Sequence, residues 1–326
     1  MALLPPEKLG LPAPPAESVT LLDGFEAALD ELPKKRRDNL LIGTWNIRHF
    51  GRVQTAWESK PRVSPKRNLQ DMCAIAQLVA RFDVVALVEV KRDLSALRML
   101  REILGPRWAF IVSDVTEGTP GNSERLGYIF DTSRVRSSGL VGELVIPDSE
   151  LEDAGAIMER QFVRTPYTVS FQARDKGFTL VTLHVIFGTT STAEVRTPEI
   201  ARFAQWLREH AEDPDEFNRN MVALGDFNID KHDDANWRAL VVDGRLSPPA
   251  ELMELPRTLG ETKDKHSFYD QIAWFNKGKG AALTLKYKTA GNFVWDQHLL
   301  QDVGQSEKEA RISDHYPLWA EFLLED

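Results

Sequence analysis

Apolar segments that each run into a polar side chain limit the folds that this chain can adopt. Residues 40–45 lead into Asn46, residues 84–88 lead into Glu89, and residues 221–224 lead into the run Gly225-Asp226-Phe227-Asn228. Groups of this kind fill the end of a buried strand poorly unless they take part in chemistry. The pattern therefore predicts strands whose polar ends meet at one edge of a sheet.

The order of the segments indicates how the first strands are connected. A strand over 40–46 is followed by a helix over 69–81, a strand over 83–89 and a helix over 94–104 with apolar residues at helical spacing. Strand, helix and strand in this order predict a right-handed parallel crossover, which places both polar strand ends on the same edge.

The rest of the chain mixes antiparallel strands with further helices. Gly, Pro and Asp turns between the middle segments predict antiparallel pairing. Residues 244–268 and 276–311 are predicted to be mostly loop. The predicted strands lie at 108–112, 127–130, 140–146, 167–171, 178–185, 221–224, 269–275 and 316–323, and the predicted helices at 194–212 and 234–242.

Composition is that of a soluble globular protein without a strong basic field. The chain has 326 residues, 42% hydrophobic and 27% charged, with a formal net charge of −9. A local basic rim or a bound cation can still attract a polyanion to one cleft. The single cysteine, Cys73, sits in an apolar helical segment and is interpreted as a core thiol. With no basic, apolar leader at Met1 and no apolar run near about 18 residues, a reducing compartment, the cytoplasm, is predicted.

Two segments stand apart from this pattern. Residues 1–38 are rich in proline and charge and are predicted to be a loosely attached extension with a short helix at 21–32, leaving 39–326 as the catalytic domain. The loop 51–67 interleaves Trp57 with basic residues, which suits a phosphate backbone and a base or sugar face, although an ordinary loop fits as well. Its basic residues are Arg52, Lys60, Arg62, Lys66 and Arg67.

The polar residues at predicted strand ends form one chemically coherent set. Carboxylate and amide oxygens suit a hard cation that keeps several waters, Mg or Mn rather than Zn. A histidine beside a carboxylate can be held in one tautomer and take a proton from water. The set is Asn46, Glu89, His184, Asp226, Asn228, Asp270, Asp314 and His315.

Taken together, these motifs resemble the endonuclease/exonuclease/phosphatase superfamily, in its order and over roughly 40–324. The nearest branch is similar to deoxyribonuclease I, with Glu124-Arg125 before an apolar strand. His184 stands where the abasic-endonuclease branch usually has Asn. The matching motifs are Thr44-Trp45-Asn46-Ile47-Arg48, Val88-Glu89-Val90, Leu183-His184-Val185, Gly225-Asp226-Phe227-Asn228, Tyr269-Asp270-Gln271-Ile272 and Ile312-Ser313-Asp314-His315-Tyr316-Pro317.

The resemblance implies a metal site and a general base. Glu89 and Asn46 are implied to hold the metal, with Asp314 near it. His315 is implied to activate water, oriented by Asp270. The implied cofactor is Mg or Mn, as one ion or two.

The resemblance also implies groups that handle the phosphate. Asp226 and Asn228 are implied to position the phosphate and the transition state. His184 is implied to act as a second acid or base on the leaving side, with Asp114 as a possible acidic partner. The implied phosphate-binding residues are Arg48, Arg125 and Lys91.

The fold and activity implied are those of a deoxyribonuclease I-like α/β (α+β) protein. We expect a four-layer αββα sandwich of two mixed β-sheets, with metal-dependent hydrolysis of a phosphodiester, DNA more than RNA, to 5′-phosphate ends. The same residues would serve a phosphatase or phosphodiesterase acting on a phosphoinositide, a phospholipid head group or a nucleotide. A non-catalytic binding module on the same fold is the third reading.

Overall fold

The computed structural model describes residues 3–59, 62–116, 122–151, 157–158, 160–188, 190–241, 246–262, 264–276 and 282–324. The strands are β1 (Asn39–Phe50), β2 (Val84–Lys91), β3 (Trp108–Val112), β4 (Glu124–Asp131), β5 (Arg136–Glu143), β6 (Tyr167–Ala173), β7 (Lys176–His184), β8 (Met221–Ile229), β9 (Leu246–Ser247), β10 (Phe268–Phe275), β11 (Lys286–Asn292) and β12 (Leu318–Leu323). The α-helices are α1 (Ala16–Ala28), α2 (Leu69–Val79), α3 (Ser95–Leu104), α4 (Asp148–Leu151), α5 (Thr190–Glu212), α6 (Ala235–Leu240) and α7 (Gln305–Arg311).

These strands form two mixed sheets of six strands each. The first has the order β11-β12-β1-β2-β4-β3, and the second has the order β5-β6-β7-β8-β10-β9. β1 and β2 are parallel, as are β7 and β8, while their other partners are antiparallel. The predicted parallel crossover between the first two strands is confirmed.

Alternate residues of the central strands serve different layers, because successive side chains point to opposite faces. Leu40 and Ile42 of β1 pack with Val169 and Leu224 of the second sheet, so the two sheets face each other. Leu41 points the other way into a second cluster, which includes residues of α2 and α3. A third cluster joins the outer face of the second sheet to α5 and α6. The predicted four-layer sandwich is confirmed.

Helix α2 starts where its sequence provides a cap. The side chain of Asn68 accepts from the backbone N–H of Asp71, and the Asp71 carboxylate accepts from the N–H of Asn68, which is a capping box. Asp71 also pairs with the buried Arg311 of α7 at 2.9 Å. The cap thus ties α2 to the segment that precedes the Ser313-Asp314-His315 motif.

The N-terminal residues are part of the fold rather than a loose extension. Phe25, Leu29 and Leu32 are buried in the cluster outside the first sheet. The backbone N–H of Leu4 donates to Ile103 O, and Trp57 Nε1 donates to Pro12 O. The expectation of loose attachment is therefore wrong for the described residues, and the predicted helix begins and ends earlier, at Ala16–Ala28.

The sequence pattern missed elements in the segments that it marked as loop. Residues 286–292 form β11 at the edge of the first sheet, and residues 305–311 form α7. β11 pairs with β12 but has only Ala290 and Gly291 buried, so its sequence lacks the apolar run of a central strand. In the part of the chain that the structure describes, no helix is both long and apolar enough to span a membrane.

Candidate active site

Three neighbouring strands of the second sheet bring polar side chains into one row. His184 of β7 is level with Asp226 of β8, and Asp270 of β10 is level with Asp226 from the other side. Gly225 adopts φ +130°, and a Cβ there would lie 2.2 Å from Leu183 O, so only glycine fits before Asp226. Strand register therefore assembles three of the eight predicted residues.

The first sheet contributes its residues through bent strand ends. The pairing of β1 with β2 shifts register between Asn46 and Phe50, and that of β2 with β4 shifts between Leu87 and Val90. Glu89 lies within this irregularity at φ +59°, a region that non-glycine residues rarely adopt. Bulges of this kind re-aim side chains and are frequent beside active sites. Asn228, at φ +49°, has the same conformation at the end of β8.

One carboxylate oxygen is the centre of the site. Nδ2 of Asn46 donates to Oδ2 of Asp226 across 3.0 Å, which links the two sheets directly. Nε2 of His184 lies 3.7 Å from that oxygen, and Nε2 of His315 lies 3.9 Å from it. The other oxygen of Asp226 accepts from the backbone N–H of Asn228. Two imidazoles and one amide therefore converge on a single buried acid.

His315 is held by a buried carboxylate and by its own backbone. Nδ1 lies 2.5 Å from Oδ2 of Asp270, which directs Nε2 toward Asp226. Its carbonyl oxygen accepts from Nε1 of both Trp45 and Trp295, at 3.0 and 3.1 Å. Burial disfavours the charged imidazolium, but Asp270 and Asp226 outweigh it, so the pKa of His315 lies well above its ordinary value. The ring is thus oriented and strongly basic.

His184 has a different acidic partner from the one expected. Its Nδ1 lies 3.0 Å from Oε2 of Glu124, whereas Asp114 is exposed and contacts the backbone at Val115. The predicted pairing of His184 with Asp114 is therefore wrong, because the carboxylate of Glu124, at the start of β4, contacts the imidazole instead. Arg164 Nε lies 3.2 Å from Oε2 of Glu124, and Lys91 Nζ lies 2.8 Å from its Oε1.

The surroundings of Glu124 favour its ionised form. Burial alone would raise its pKa, but His184, Arg164 and Lys91 together lower the pKa to about 2. Glu124 is therefore a carboxylate at any working pH, enclosed by positive or proton-donating groups.

The oxygen donors at the first sheet suit a hard cation. Oδ1 of Asn46 is buried and has no hydrogen-bond partner, which is costly unless a cation or another donor meets it. Oε2 of Glu89 accepts from the backbone N–H of His49, and Oδ2 of Asp314 lies 3.1 Å from Arg48 Nη1. Among the described residues no three His, Cys, Asp or Glu side chains form a metal-binding group.

The predicted phosphate-binding cations are largely engaged within the protein. Arg48 Nη1 pairs with Glu309 at 2.6 Å as well as with Asp314. Lys91 is paired with Glu124, as described above. Arg125 Nη1 donates to the backbone oxygen of Arg92 at 3.3 Å.

In the described part of the loop 51–67, two of the residues that suggested a basic and aromatic surface are buried, whereas Arg52 and Arg62 are exposed. Trp57 is buried and hydrogen-bonded to Pro12 O. Arg67 is buried and donates to the backbone oxygens of Arg48, Arg311 and Ile312, while burial lowers its pKa to about 10. Arg67 therefore holds the strand ends of the site in place rather than binding a ligand. Lys60 lies outside the described residues.

The supporting roles of several residues could not be recognised in the sequence. Arg164, Trp295 and Arg67 lie in segments without a periodic pattern, and their contacts join residues distant along the chain. Ser313 was visible only as part of its motif. Its hydroxyl donates to Asn46 O and accepts from the N–H groups of Arg48 and His315, so it ties the two strand ends together.

The two-sheet sandwich with a polar site at its strand ends defines a deoxyribonuclease I-like protein. Residues 43–285 match the Endonuclease/Exonuclease/phosphatase family. The chain therefore belongs to this family of phosphoester hydrolases, whose enzymes generally use divalent metal ions. No curated protein sequence matches the chain.

Solved structures support the fold at low sequence identity. A mannosyl-6-phosphatase from Bacteroides thetaiotaomicron VPI-5482 is 17% identical with a TM-score of 0.55, covering 87% of this chain and 99% of its own. D. rerio TDP2 in complex with a single-strand DNA product is 15% identical with a TM-score of 0.53, covering 87% and 98%. ANGEL2, a 2′,3′-cyclic phosphatase, is 15% identical with a TM-score of 0.57, covering 89% and 96%. All three share the architecture of this chain.

Proposed function

We propose that this protein is a divalent-metal-dependent phosphodiester hydrolase that cleaves DNA endonucleolytically and leaves 5′-phosphate ends. The observation that carries the proposal is the convergence of His315, His184 and Asn46 on Oδ2 of Asp226. Buried polar networks are costly when their groups are only partly satisfied, so two buried histidines around one acid favour a catalytic role over a purely structural one.

His315 acts in the proposal as the general base. Asp270 accepts from Nδ1, so Nε2 is the atom at which the neutral imidazole takes a proton from the attacking water. The two tryptophan N–H groups on its carbonyl fix the backbone, so the imidazole is positioned before substrate arrives.

His184, Asp226 and Asn228 handle the phosphate in the proposal. His184 lies on the opposite side of Asp226 from His315, where it can donate a proton to the leaving oxygen. Asp226 and Asn228 position the reacting groups, and Asn228 is itself fixed by donating Nδ2 to Val185 O at 2.7 Å.

Glu89, Asn46 and Asp314 are proposed to hold Mg²⁺ or Mn²⁺, as one ion or two. Such an ion would stabilise negative charge on the phosphate oxygens. The unpartnered Asn46 oxygen and the re-aimed Glu89 carboxylate are the donors that fit this role. Arg48, Arg125 and Lys91 are proposed to bind flanking phosphates. The cytoplasm is the proposed compartment, and the buried Cys73, whose pKa burial raises to about 12, suits it.

Plasmid nicking tests the proposal. Wild-type protein with Mg²⁺ or Mn²⁺ is expected to convert supercoiled DNA to open circles, and chelation is expected to abolish this. Glu89→Ala and His315→Ala should each reduce nicking by about 10³-fold or more, whereas His210→Ala, on the last turn of α5, should not. Full nicking by either site variant would overturn the assignment.

A small phosphoester is the second candidate substrate, and the ion pairs of the site favour it. Arg48 and Lys91 already neutralise carboxylates, which reduces the cationic groove that a long polyanion requires. The structural likeness to a mannosyl-6-phosphatase fits this candidate, whereas the likeness to TDP2 with single-strand DNA fits the first. Much faster turnover of an inositol or sugar phosphate than of DNA would favour the second.

A further inference from the structure

Phe187 is an aromatic side chain left open to solvent next to the site. It is 64% exposed and follows His184, the last residue of β7, by three positions. Burying a phenylalanine stabilises a protein by about 1.5–3 kcal/mol, so an exposed ring beside a reactive cleft is a ready contact for a ligand.

Phe187 forms an aromatic pair that continues to the proposed general base. Its ring centroid lies 6.0 Å from that of Tyr269 at an interplanar angle of 85°. The centroid of Tyr269 lies 6.3 Å from that of His315. Tyr269 directly precedes Asp270, so the same strand positions the imidazole and the aromatic pair. A flat group stacked on Phe187 would therefore have the rings of Phe187 and Tyr269 between it and the proposed general base.

We propose that Phe187, held edge-to-face by Tyr269, is a stacking platform for one unpaired nucleobase beside the scissile phosphate; this rests on the function proposed above. Stacking of a base on an aromatic side chain contributes about 1–3 kcal/mol, and every base offers a π-face. Sugar and inositol phosphates lack such a face. A base within a duplex has both faces covered, so the platform takes a splayed base from a single strand or a frayed end.

A cleft next to the platform suits the adjoining phosphate. A cavity of about 520 Å³ reaches Ser267, two residues before Tyr269, and Lys231 and Lys265 also line it. Its acids are engaged, because Asp230 pairs with Arg196 and Glu261 accepts from backbone N–H groups. Neither lysine ammonium meets a carboxylate within the described ranges, so both remain available to a phosphate.

The test compares two single-stranded oligonucleotides of equal length, one of thymidine and one whose sugars all lack a base. They have the same charge and differ only in the stacking partner. Phe187→Ala should lower kcat/KM for the thymidine strand by about 5- to 100-fold through KM and leave the base-free strand unchanged. Phe187→Trp should restore the thymidine value. Phe217→Ala, which removes another exposed ring (59%) that lies over Gly139 of β5, is the matched control and should change neither.

The outcomes separate the platform from the proposed function. Equal losses on both strands, or a change below twofold on thymidine, would overturn the platform while hydrolysis itself persists. Failure of the wild-type protein with Mn²⁺ to hydrolyse either strand while it still nicks plasmid would overturn the platform alone, and failure on plasmid as well would overturn both proposals. A double-stranded substrate cleaved faster than the thymidine strand, with the same dependence on Phe187, would contradict the unpaired base.

Discussion

His184 and His315 both lie close to Asp226, but the charged groups around their acidic partners differ. His315 pairs with Asp270, which is fully buried and has no second charged side chain hydrogen-bonded to its carboxylate oxygens in the described structure. His184 pairs with Glu124, which Lys91 and Arg164 also contact. The Asp270 carboxylate is hydrogen-bonded to His315, while the buried Arg257 donates to the backbone oxygen of Asp270. The Glu124 carboxylate is instead contacted by three side chains, those of His184, Lys91 and Arg164.

This difference indicates different roles for similar side chains. Burial raises the pKa of Asp270, while the environment of Glu124 lowers its pKa to about 2. The buried Asp270 carboxylate favours protonation of the His315 imidazole, which suits a base. The Glu124 carboxylate beside His184 is also contacted by Lys91 and Arg164, and His184 is proposed as the donor to the leaving group.

Removing each imidazole gives the largest expected effect and tests the comparison directly. His315→Ala should lower kcat for a phosphodiester by about 10⁴-fold, and His184→Ala by about 10²-fold, because loss of the base prevents attack while solvent can still protonate a leaving oxygen. Steady-state rates at saturating metal measure both. Equal losses would remove the distinction between the two histidines.

Replacing each acidic partner separates orientation from charge. Asp270→Asn should lower kcat by about 10³-fold and bring the pKa of His315 down toward its ordinary value, because the main group that raises it is gone. Glu124→Gln should cost about 10-fold, since two cations already offset its charge. NMR titration of the imidazole protons in chelated protein measures the pKa, and an unchanged value for His315 in Asp270→Asn would contradict this account.

We expect the Asn46 amide, which reaches Asp226 from the first sheet, to affect metal binding more than proton transfer. Asn46→Ala should weaken Mn²⁺ binding by about 10- to 100-fold, because it removes the unpartnered buried oxygen. Calorimetry without substrate measures this binding. Asn276→Ala, beyond the far end of β10, is the matched control and should bind as the wild type does. An unchanged affinity in Asn46→Ala would remove Asn46 from the metal site.

Glu199 extends the comparison to a buried carboxylate without a histidine. It accepts from Val163 N–H at 2.7 Å, and burial raises its pKa from 4.5 to about 7. The folded protein therefore binds this proton more tightly than the unfolded chain, so its contribution to stability is complete below about pH 4.5 and is lost as pH rises through 7. Glu199→Gln should be more stable than the wild type by about 3 kcal/mol at pH 8 and nearly equal at pH 4.5.

Denaturant unfolding at both pH values measures this difference. Glu102→Gln, an exposed position on α3, should follow the wild type at each pH. A pH-independent difference for Glu199→Gln would mean that burial does not suppress ionisation there.

Strand composition and motif residues determined much of the fold and most of the proposed site. Apolar segments specified β1, β2 and β8 because strands buried on both faces need continuous apolar runs. Two elements escaped detection: β11 has only Ala290 and Gly291 buried, and α7 is mostly polar. The polar ends themselves were visible because acids, amides and histidines interrupt apolar runs.

Only the tertiary structure decided which of these groups meet. The choice of Glu124 rather than Asp114 behind His184 depends on the register of β4, and the convergence on Asp226 depends on how closely the two sheets pack. Burial also reversed the reading of Trp57 and Arg67, which sequence placed on a binding surface and the fold uses internally. Residue type and spacing fix what chemistry a side chain can perform. Its partner, charge and exposure are set by contacts between segments far apart in the chain, which local sequence does not encode.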